Sequence, residues 1–369
     1  MSTTYRPSRA LTATLLMAGL SVAAVVAPGS PLTERAQAAG STTTVYPDIT
    51  GKQLTDALEA LKPGDTLALA PGTYRTGFVI PDPASMAVLT KMSYGTPDAP
   101  ITVRAADPAN RPLILGELKL WGPSHWVLDG LRVQAVDPGK DALFIGGGTG
   151  WVVRNSEFSG AKRTGAYSNV SIGSDKYGTG APSGFLFTGN CVHDAAQTNR
   201  GNTDHNIYVN YPGAPGSGGV ISRNTIFNHF KGSGIKIGNG GAPGAPGPWN
   251  VKVQYNTITQ GGRQVLLHAD VRDNTIERNL LVRATEPFRS DPRTTSVYFN
   301  LVTGKGNSLA NNYASGSTMF SFGPNVALRG DNGVRADPAF RSVGCDGFKP
   351  SNPAAAAYGR YASTPLARR

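Results

Sequence analysis

Asp204-His205-Asn206-Ile207-Tyr208-Val209-Asn210 and Gly234-Ile235-Lys236-Ile237-Gly238 are two copies of one short pattern. Val220-Ile221-Ser222-Arg223-Asn224-Thr225-Ile226 lies between them. In each copy two β-branched residues enclose one outlier, Tyr208 in the first and Lys236 in the second. A period of two marks a strand with one face in a core and the other turned out. The pattern recurs in both directions, at Ala142–Gly146, Asn169–Gly173, Gln264–His268 and Ser296–Asn300. A second class ends in Asn and alternates strictly with the first: Asn155, Asn190, Asn224, Asn256, Asn279 and Asn312, at intervals of 35, 34, 32, 23 and 33 residues.

Short strands recurring at this spacing make a solenoid, in which each repeat buries its apolar face only against its neighbours. A strand-turn-strand unit with almost no helix selects an all-β, single-stranded right-handed parallel β-helix, here of nine or ten coils. The six Asn are expected to stack in a ladder at a tight turn, bonding main chain of the next coil. Longer repeats carry their excess in Gly/Pro-rich loops such as Tyr211 to Gly219 and Gly238 to Pro248, expected to wall a groove. Composition agrees with a turn-rich chain: 46 Gly and 27 Pro in 369 residues.

The ends differ from the repeat. Arg6 and Arg9 precede the apolar run Leu11 to Val26, and Ala36-Gln37-Ala38 fits a small-x-small cleavage site. Residues 1–38 therefore read as a secretory signal, leaving a β-helix domain over 39–369, exported to the extracellular space. No later run is apolar for long enough to span a bilayer, so no membrane association is expected after cleavage. Thr50 to Leu61 is the one helix candidate, with Leu54, Ala57, Leu58 and Leu61 on one face, and reads as an N-terminal cap. Residues 336–369 lack the repeat and read as an irregular C-terminal cap, since a solenoid must cover its open edges. Formal charge is +11; residues 1–38 hold three Arg and one Glu, which leaves +9. An exported cation meets anionic partners, and acidic polysaccharide is expected rather than nucleic acid, with the chain acting as a monomer. The only cysteines are Cys191 and Cys345. A bridge is permitted outside the cell, but Cys191 follows Asn190 in a core-like strand and Cys345 lies in a distant tail, which speaks against pairing.

Residues 50 to 135 carry a further signal: the amphipathic helix, Gly64-Asp65-Thr66 to Gly72-Thr73-Tyr74, Gly95-Thr96 with Pro100-Ile101-Thr102, and Val127-Leu128-Asp129-Gly130-Leu131. This third of the chain resembles the start of bacterial β-helix polysaccharide lyases of the chondroitinase B and alginate lyase group. The resemblance implies a capped right-handed β-helix and an anionic glycan substrate. That group's Lys and Arg motif has no clear match downstream, so no catalytic residue is carried over. The rest resembles the wider set of secreted right-handed β-helix repeat proteins. Asn202-Thr203-Asp204 is similar to the first polygalacturonase motif, without its Asp-Asp and Gly-His-Gly partners. Asp204-His205 resembles the Asp/His pairing of β-helix mannuronan C5-epimerases, without the intervening Pro.

Aligning the first strand class supplies the site. The outward position reads Phe144, Ser171, Tyr208, Lys236, Leu266, Tyr298 on successive coils, ~4.8 Å apart. Two residues later it reads Gly146, Gly173, Asn210, Gly238, His268, Asn300; three residues earlier come His205, Ser233 and Arg263. One face thus gathers Lys236, Tyr208, His205, Arg263 and His268 as candidate catalytic groups, with Asp204, Asn210, Tyr298 and Asn300 as substrate contacts. The set suits β-elimination from a uronate, which needs a cation against the carboxylate, a base for the adjacent proton and an acid for the leaving oxygen. Arg263 is the cation, Lys236 or His205 the base, and Tyr208 the acid or, as phenolate, the base. A C5-epimerase needs the same groups. A glycoside hydrolase needs two facing carboxylates, of which only Asp204 is apparent. A non-catalytic glycan binder would use Phe144, Tyr208 and Tyr298 as stacking rings. No cofactor is expected except, at most, calcium, for which Asp175, Asp194, Asp204 and Asp270 show no ligand spacing.

Overall fold

The computed structural model describes residues 40–75, 77–80, 93–137, 139–161, 168–177, 180–195, 205–239, 244–285, 287–288, 291–321 and 325–363. Asp204 and the proposed signal, residues 1–38, lie outside them.

The coil arises from period-two strands separated by turns. Among the described residues the strands stack in parallel as one sheet of eleven and one of eighteen. The larger falls into two adjoining stacks, called here the second and third sheets, and Thr225–Gly238 and Thr257–His268 each run through both. The first sheet stacks eleven strands among the described residues, from Thr42–Val45 to Val326–Arg329. Eleven exceeds the expected nine or ten coils, because Thr42–Val45, mostly exposed and with little apolar signal, pairs with Thr66–Leu69 as an extra first rung. The second sheet includes Glu157–Ser159, Cys191–His193 and Leu280–Ala284. The third holds the strands around Tyr208 and Lys236. The result is a right-handed parallel β-helix. Its core is the stack of inward side chains, among them Ile207, Val209, Ile235, Ile237, Val265 and Leu267. Gly51–Glu59 is the helix: Thr50 and Gln53 form a reciprocal capping box, and Leu54 and Leu58 join the core.

The Asn ladder stands at the turn from the first sheet to the second. Each Asn from 190 to 312 has its backbone N–H bonded to the side-chain oxygen of the next: Asn224, Asn256, Asn279, Asn312 and then Asn332. Asn155 is not a member. Register pairs Arg154 with Thr188, so Ser156 stands opposite Asn190 and accepts its place, the Ser156 N–H donating to Asn190 Oδ1 at 3.0 Å. Asn155 occupies the position before the ladder, at φ 53°, where Arg223, Tyr255 and Arg278 are also left-handed. Asn tolerates that conformation well, which explains how the same residue type arises for a different reason.

A second short ladder lies at the turn into the third sheet. Asn169 Nδ2 donates to Asn206 Oδ1 at 2.8 Å, and Asn206 Nδ2 to the Phe227 carbonyl at 2.7 Å. It fixes the start of the strands that carry Ser171 and Tyr208.

Cys191 and Cys345 form a disulfide across 154 residues. The irregular C-terminal segment runs over the outward face of the second sheet, which brings the tail cysteine to the strand. Ala355, Phe340 and Tyr358 cover Leu280, Val282 and Tyr313, and Arg360 donates to the carbonyls of Asn190 and Cys345. The Tyr211–Gly219 loop packs down rather than projecting: Gly213 lies so close to Trp249 of the next coil that a Cβ would fall 2.1 Å from its ring.

Candidate active site

The outward row of the third sheet forms one side of the molecule. Register aligns Lys119, Phe144, Ser171, Tyr208, Lys236, Leu266 and Tyr298 on successive rungs. His205 pairs with Ser168, and Arg263 with Ser233. Gly238, His268 and Asn300 align two residues further on. Parallel pairing without register shifts through Ile235–Gly238 is what turns positions far apart in sequence into neighbours.

Lys236 is the centre of the site. It is only 8% exposed, with Nζ 4.7 Å from the centroid of the Tyr208 ring. Burial lowers its pKa from 10.5 to about 8, because desolvation penalises the ammonium form. The aromatic face compensates part of that cost.

His205 lies deeper. Its ring is 5.6 Å from that of Tyr208, and it is 1% exposed. Burial first, then the charges of Lys236, His229 and Arg263, hold its pKa well below the ordinary imidazole range. The Ser233 N–H donates to Nδ1 at 3.1 Å, so the neutral ring carries its proton on Nε2. Arg263 is also buried, with its guanidinium carbon 5.9 Å from the Tyr298 ring centroid. His268 Nδ1 lies 2.9 Å from the Asn300 carbonyl and 3.0 Å from Asn300 Nδ2. These two contacts tie the His268 and Asn300 rungs together. The structure therefore gathers Tyr208, Lys236 and His205 in one cluster, Arg263 and Tyr298 in a second, and His268 with Asn300 in a third along the same sheet.

Asn210 belongs to a cavity of about 280 Å³ on the N-terminal side of Tyr208. Its lining adds groups that the sequence pattern did not single out: Glu117, Lys119, Lys140 and Asp141. Asp141 precedes Phe144 by three residues, the same offset that marks His205 and Arg263, so extending that row two repeats towards the N-terminus, past Ser168, would have found it. Burial pushes its pKa up to about 6, against a hydrogen bond from Ser171 that favours the carboxylate; Glu117 adds to the rise. Asp141 Oδ1 is buried and has no hydrogen-bond partner among the described residues. Glu117 is engaged by both lysines, at 4.0 Å from Lys119 and 3.5 Å from Lys140. His229, buried beneath the site, fits only because Gly261 beside its ring has no Cβ.

Among the described residues, one group of His, Cys and carboxylate atoms is close enough to share an ion: Cys191, His193 and Cys345. Its two sulfurs are bonded to each other, and it offers none of the oxygen ligands calcium takes.

No protein-family model matches the chain, and no curated protein does. Solved structures do. Pectate lyase Pel9A is 12% identical, with 83% of this chain and 84% of that one covered at a TM-score of 0.50. A mannuronic acid specific polysaccharide family 6 lyase from human gut microbiota is 14% identical over 79% of this chain and 67% of its own, at 0.42. A periplasmic alginate epimerase is 12% identical over 78% and 66%, at 0.35. At such identities the likeness is one of fold, the parallel β-helix. Among the described residues no helix is long and apolar enough to cross a membrane.

Proposed function

We propose that the protein is a secreted polysaccharide lyase that cleaves a uronate-containing glycan by β-elimination. The observation that carries this reading is Lys236: a desolvated lysine with a pKa of about 8, packed against a tyrosine on the adjacent rung. A free lysine at neutral pH is a poor base; one near 8 is matched to proton abstraction. Arg263 neutralises the uronate carboxylate and stabilises the charge that develops on it. Lys236 takes the proton from the carbon bearing that carboxylate. The electron pair forms the new double bond, the bond to the glycosidic oxygen breaks, and Tyr208 protonates that oxygen. His205, with Nδ1 occupied by Ser233, is a positioning residue for the Tyr208 ring. His268, Asn210, Tyr298 and Asn300 line the substrate path, and Asp204 stands next to His205 in sequence.

The structural neighbours support the reading, because pectate and alginate lyases are among them. Export is supported by the N-terminal sequence and by the disulfide, since such bonds persist in oxidising compartments.

The test is incubation of the mature protein, with and without calcium, on pectate, alginate, hyaluronan, chondroitin and glucuronan, following ultraviolet absorbance of the unsaturated uronate. Absorbance that rises on one glycan and is lost in Lys236→Met and Tyr208→Phe supports the mechanism. Full activity in both variants removes these residues from it.

A glycoside hydrolase is the second reading, favoured by Asp141 and Glu117 on one cavity, the first with a raised pKa. Glu117 is tied to two lysines rather than presented as a nucleophile, which places this reading second. New reducing ends without unsaturation would identify it. Uronate inversion without cleavage would identify an epimerase.

A further inference from the structure

The second sheet carries a group of donor atoms that the candidate site does not use. Cys191 and His193 lie on one strand, two residues apart and so on one face. Cys345 reaches them from the C-terminal segment. The two sulfurs and a ring nitrogen of His193 all lie within 4.8 Å of one another. A tetrahedral zinc site sets such atoms about 3.4–3.8 Å apart, given bonds of about 2.3 Å to sulfur and 2.0–2.1 Å to nitrogen. The Cα atoms of the two cysteines are 5.4 Å apart, so side-chain rotation brings the sulfurs to that spacing once they are no longer bonded.

His193 is held as a metal ligand is held. Asp194 Oδ2 lies 2.8 Å from its Nδ1, the carboxylate–histidine arrangement that fixes the tautomer of a metal-bound imidazole. That leaves Nε2 as the ligand atom, 3.6 Å from Glu157 Oε1. Arg111 and Arg132 pair with Glu157 at 3.0 and 3.4 Å, so the fourth position falls to water. The His193 ring stacks on Phe227 with centroids 4.8 Å apart, and Phe348 of the segment packs on Phe227 at 5.1 Å. Arg360 donates to the Cys345 carbonyl at 3.5 Å, a tether for Cys345 besides the covalent bond. A cavity of about 380 Å³ opens onto both cysteines, and Cys345 is the less buried of the two.

We propose that Cys191, Cys345 and His193 bind a zinc ion when the disulfide is reduced, so that a covalent bond and a metal ion are interchangeable clasps for the C-terminal segment. The inference stands apart from the lyase reading. A dithiol reductant attacks Cys345 Sγ and Cys191 leaves; the second thiol closes the reductant's own disulfide and frees Cys345. Two electrons and two protons pass to the cysteines. Zn²⁺ then displaces both protons to solvent and takes the two thiolates and Nε2, soft and borderline donors that suit this ion.

The experiment reduces the full mature chain with dithiothreitol, removes the reagent under nitrogen and titrates with Co²⁺, then Zn²⁺. The chain has no other cysteine, so a sulfur-to-cobalt charge-transfer band reports this site alone. One Co²⁺ per chain is expected, with the visible bands of a tetrahedral thiolate site, displaced by Zn²⁺ and absent from the oxidised protein. His193→Phe keeps a ring against Phe227 and removes the ligand. It is expected to weaken Zn²⁺ binding at least ~100-fold by chelator competition, more than loss of an outer partner costs. Proteolysis within 336–363 should quicken on reduction and slow again with Zn²⁺, but not in His193→Phe. The inference is overturned by a reduced chain without the charge-transfer band, by equal affinity in His193→Phe, or by protection that Zn²⁺ does not restore. Binding only by a chain that has lost its β-sheet circular dichroism overturns it as well, since the unfolded chain then supplies the ligands.

Discussion

Burying Lys236 costs the fold stability, because desolvation penalises its ammonium form. Its pKa is about 8 in the folded chain against 10.5 when solvated. Between those pH values the unfolded chain binds the extra proton, so stability rises with pH across that window. Below pH 8 the penalty is present in full, about 3 kcal/mol. Lys236→Met removes the charge and keeps most of the volume. After subtracting the lost contact with Tyr208, the variant should gain on the order of 1–2 kcal/mol at pH 7, and the gain should vanish by about pH 10.5. Chemical denaturation at both pH values checks this. The same variant should lose roughly 10²- to 10⁴-fold in elimination rate. In the wild type, activity should rise with pH through about 8 as the amine loses its proton. A lysine on a merely solvated face would move neither quantity. The placement of Lys236 beside Tyr208 was legible because a period of two and a constant register assign neighbours without coordinates. How deeply the lysine is buried was not, since it depends on packing across rungs. Asp141 stayed hidden for a narrower reason: its strand reads as plain core, and the row of polar residues three positions upstream begins there.

At the scale of the element, the Asn ladder shows which recurrences bear load. Asn256 donates through its N–H to Asn279 Oδ1 at 2.9 Å and through Nδ2 to the Ile221 carbonyl at 2.9 Å. It accepts from the N–H and Nδ2 of Asn224 at 3.0 and 2.8 Å. Asn256→Ala keeps the N–H to Asn279 but takes the side-chain partner from the buried Asn224 N–H and from the Ile221 carbonyl, both on the preceding rung. The expected loss is about 2–4 kcal/mol by urea unfolding, several times that of an ordinary exposed hydrogen bond. Asn155 is the control. It is exposed, left-handed and bonded only to Asp129 by its side chain. Asn155→Gly should therefore fall within ~0.5 kcal/mol of the parent. The alternation of strand classes was legible from spacing alone. The membership of one rung was not, because Asn is favoured both as a ladder residue and at the left-handed position beside it. Ser156 can take the ladder place with a hydroxyl, and Asn332 closes the ladder beyond the last repeat that spacing marks.

At the scale of the molecule, the C-terminal segment decides which faces are free. An outward face bearing Leu280, Val282 and Tyr313 would expose an apolar strip on the second sheet, and residues 336–363 cover it. Those outward apolar residues were the available sign that something covers this flank; the bond from Cys345 to Cys191 follows from the same docking. The segment's apolar contacts fall on the second sheet, whereas Lys236 stands on the third. The covering segment is held in two ways. One is apolar and local, through Phe340, Ala355 and Tyr358; the other is covalent, closing a loop of 154 residues. Loop closure on that scale limits the unfolded chain by several kcal/mol. Cys345→Ser should thus lower global stability by about 2–5 kcal/mol. It should leave the segment docked by its apolar contacts but open to local release. The sign of that release is proteolysis beginning within 336–363 while the coils resist, with elimination on the third sheet unchanged in rate. If instead cleavage begins in the coils, or activity falls with the bond, then the segment and the candidate site form one cooperative unit, and the division of labour between the two sheets is wrong.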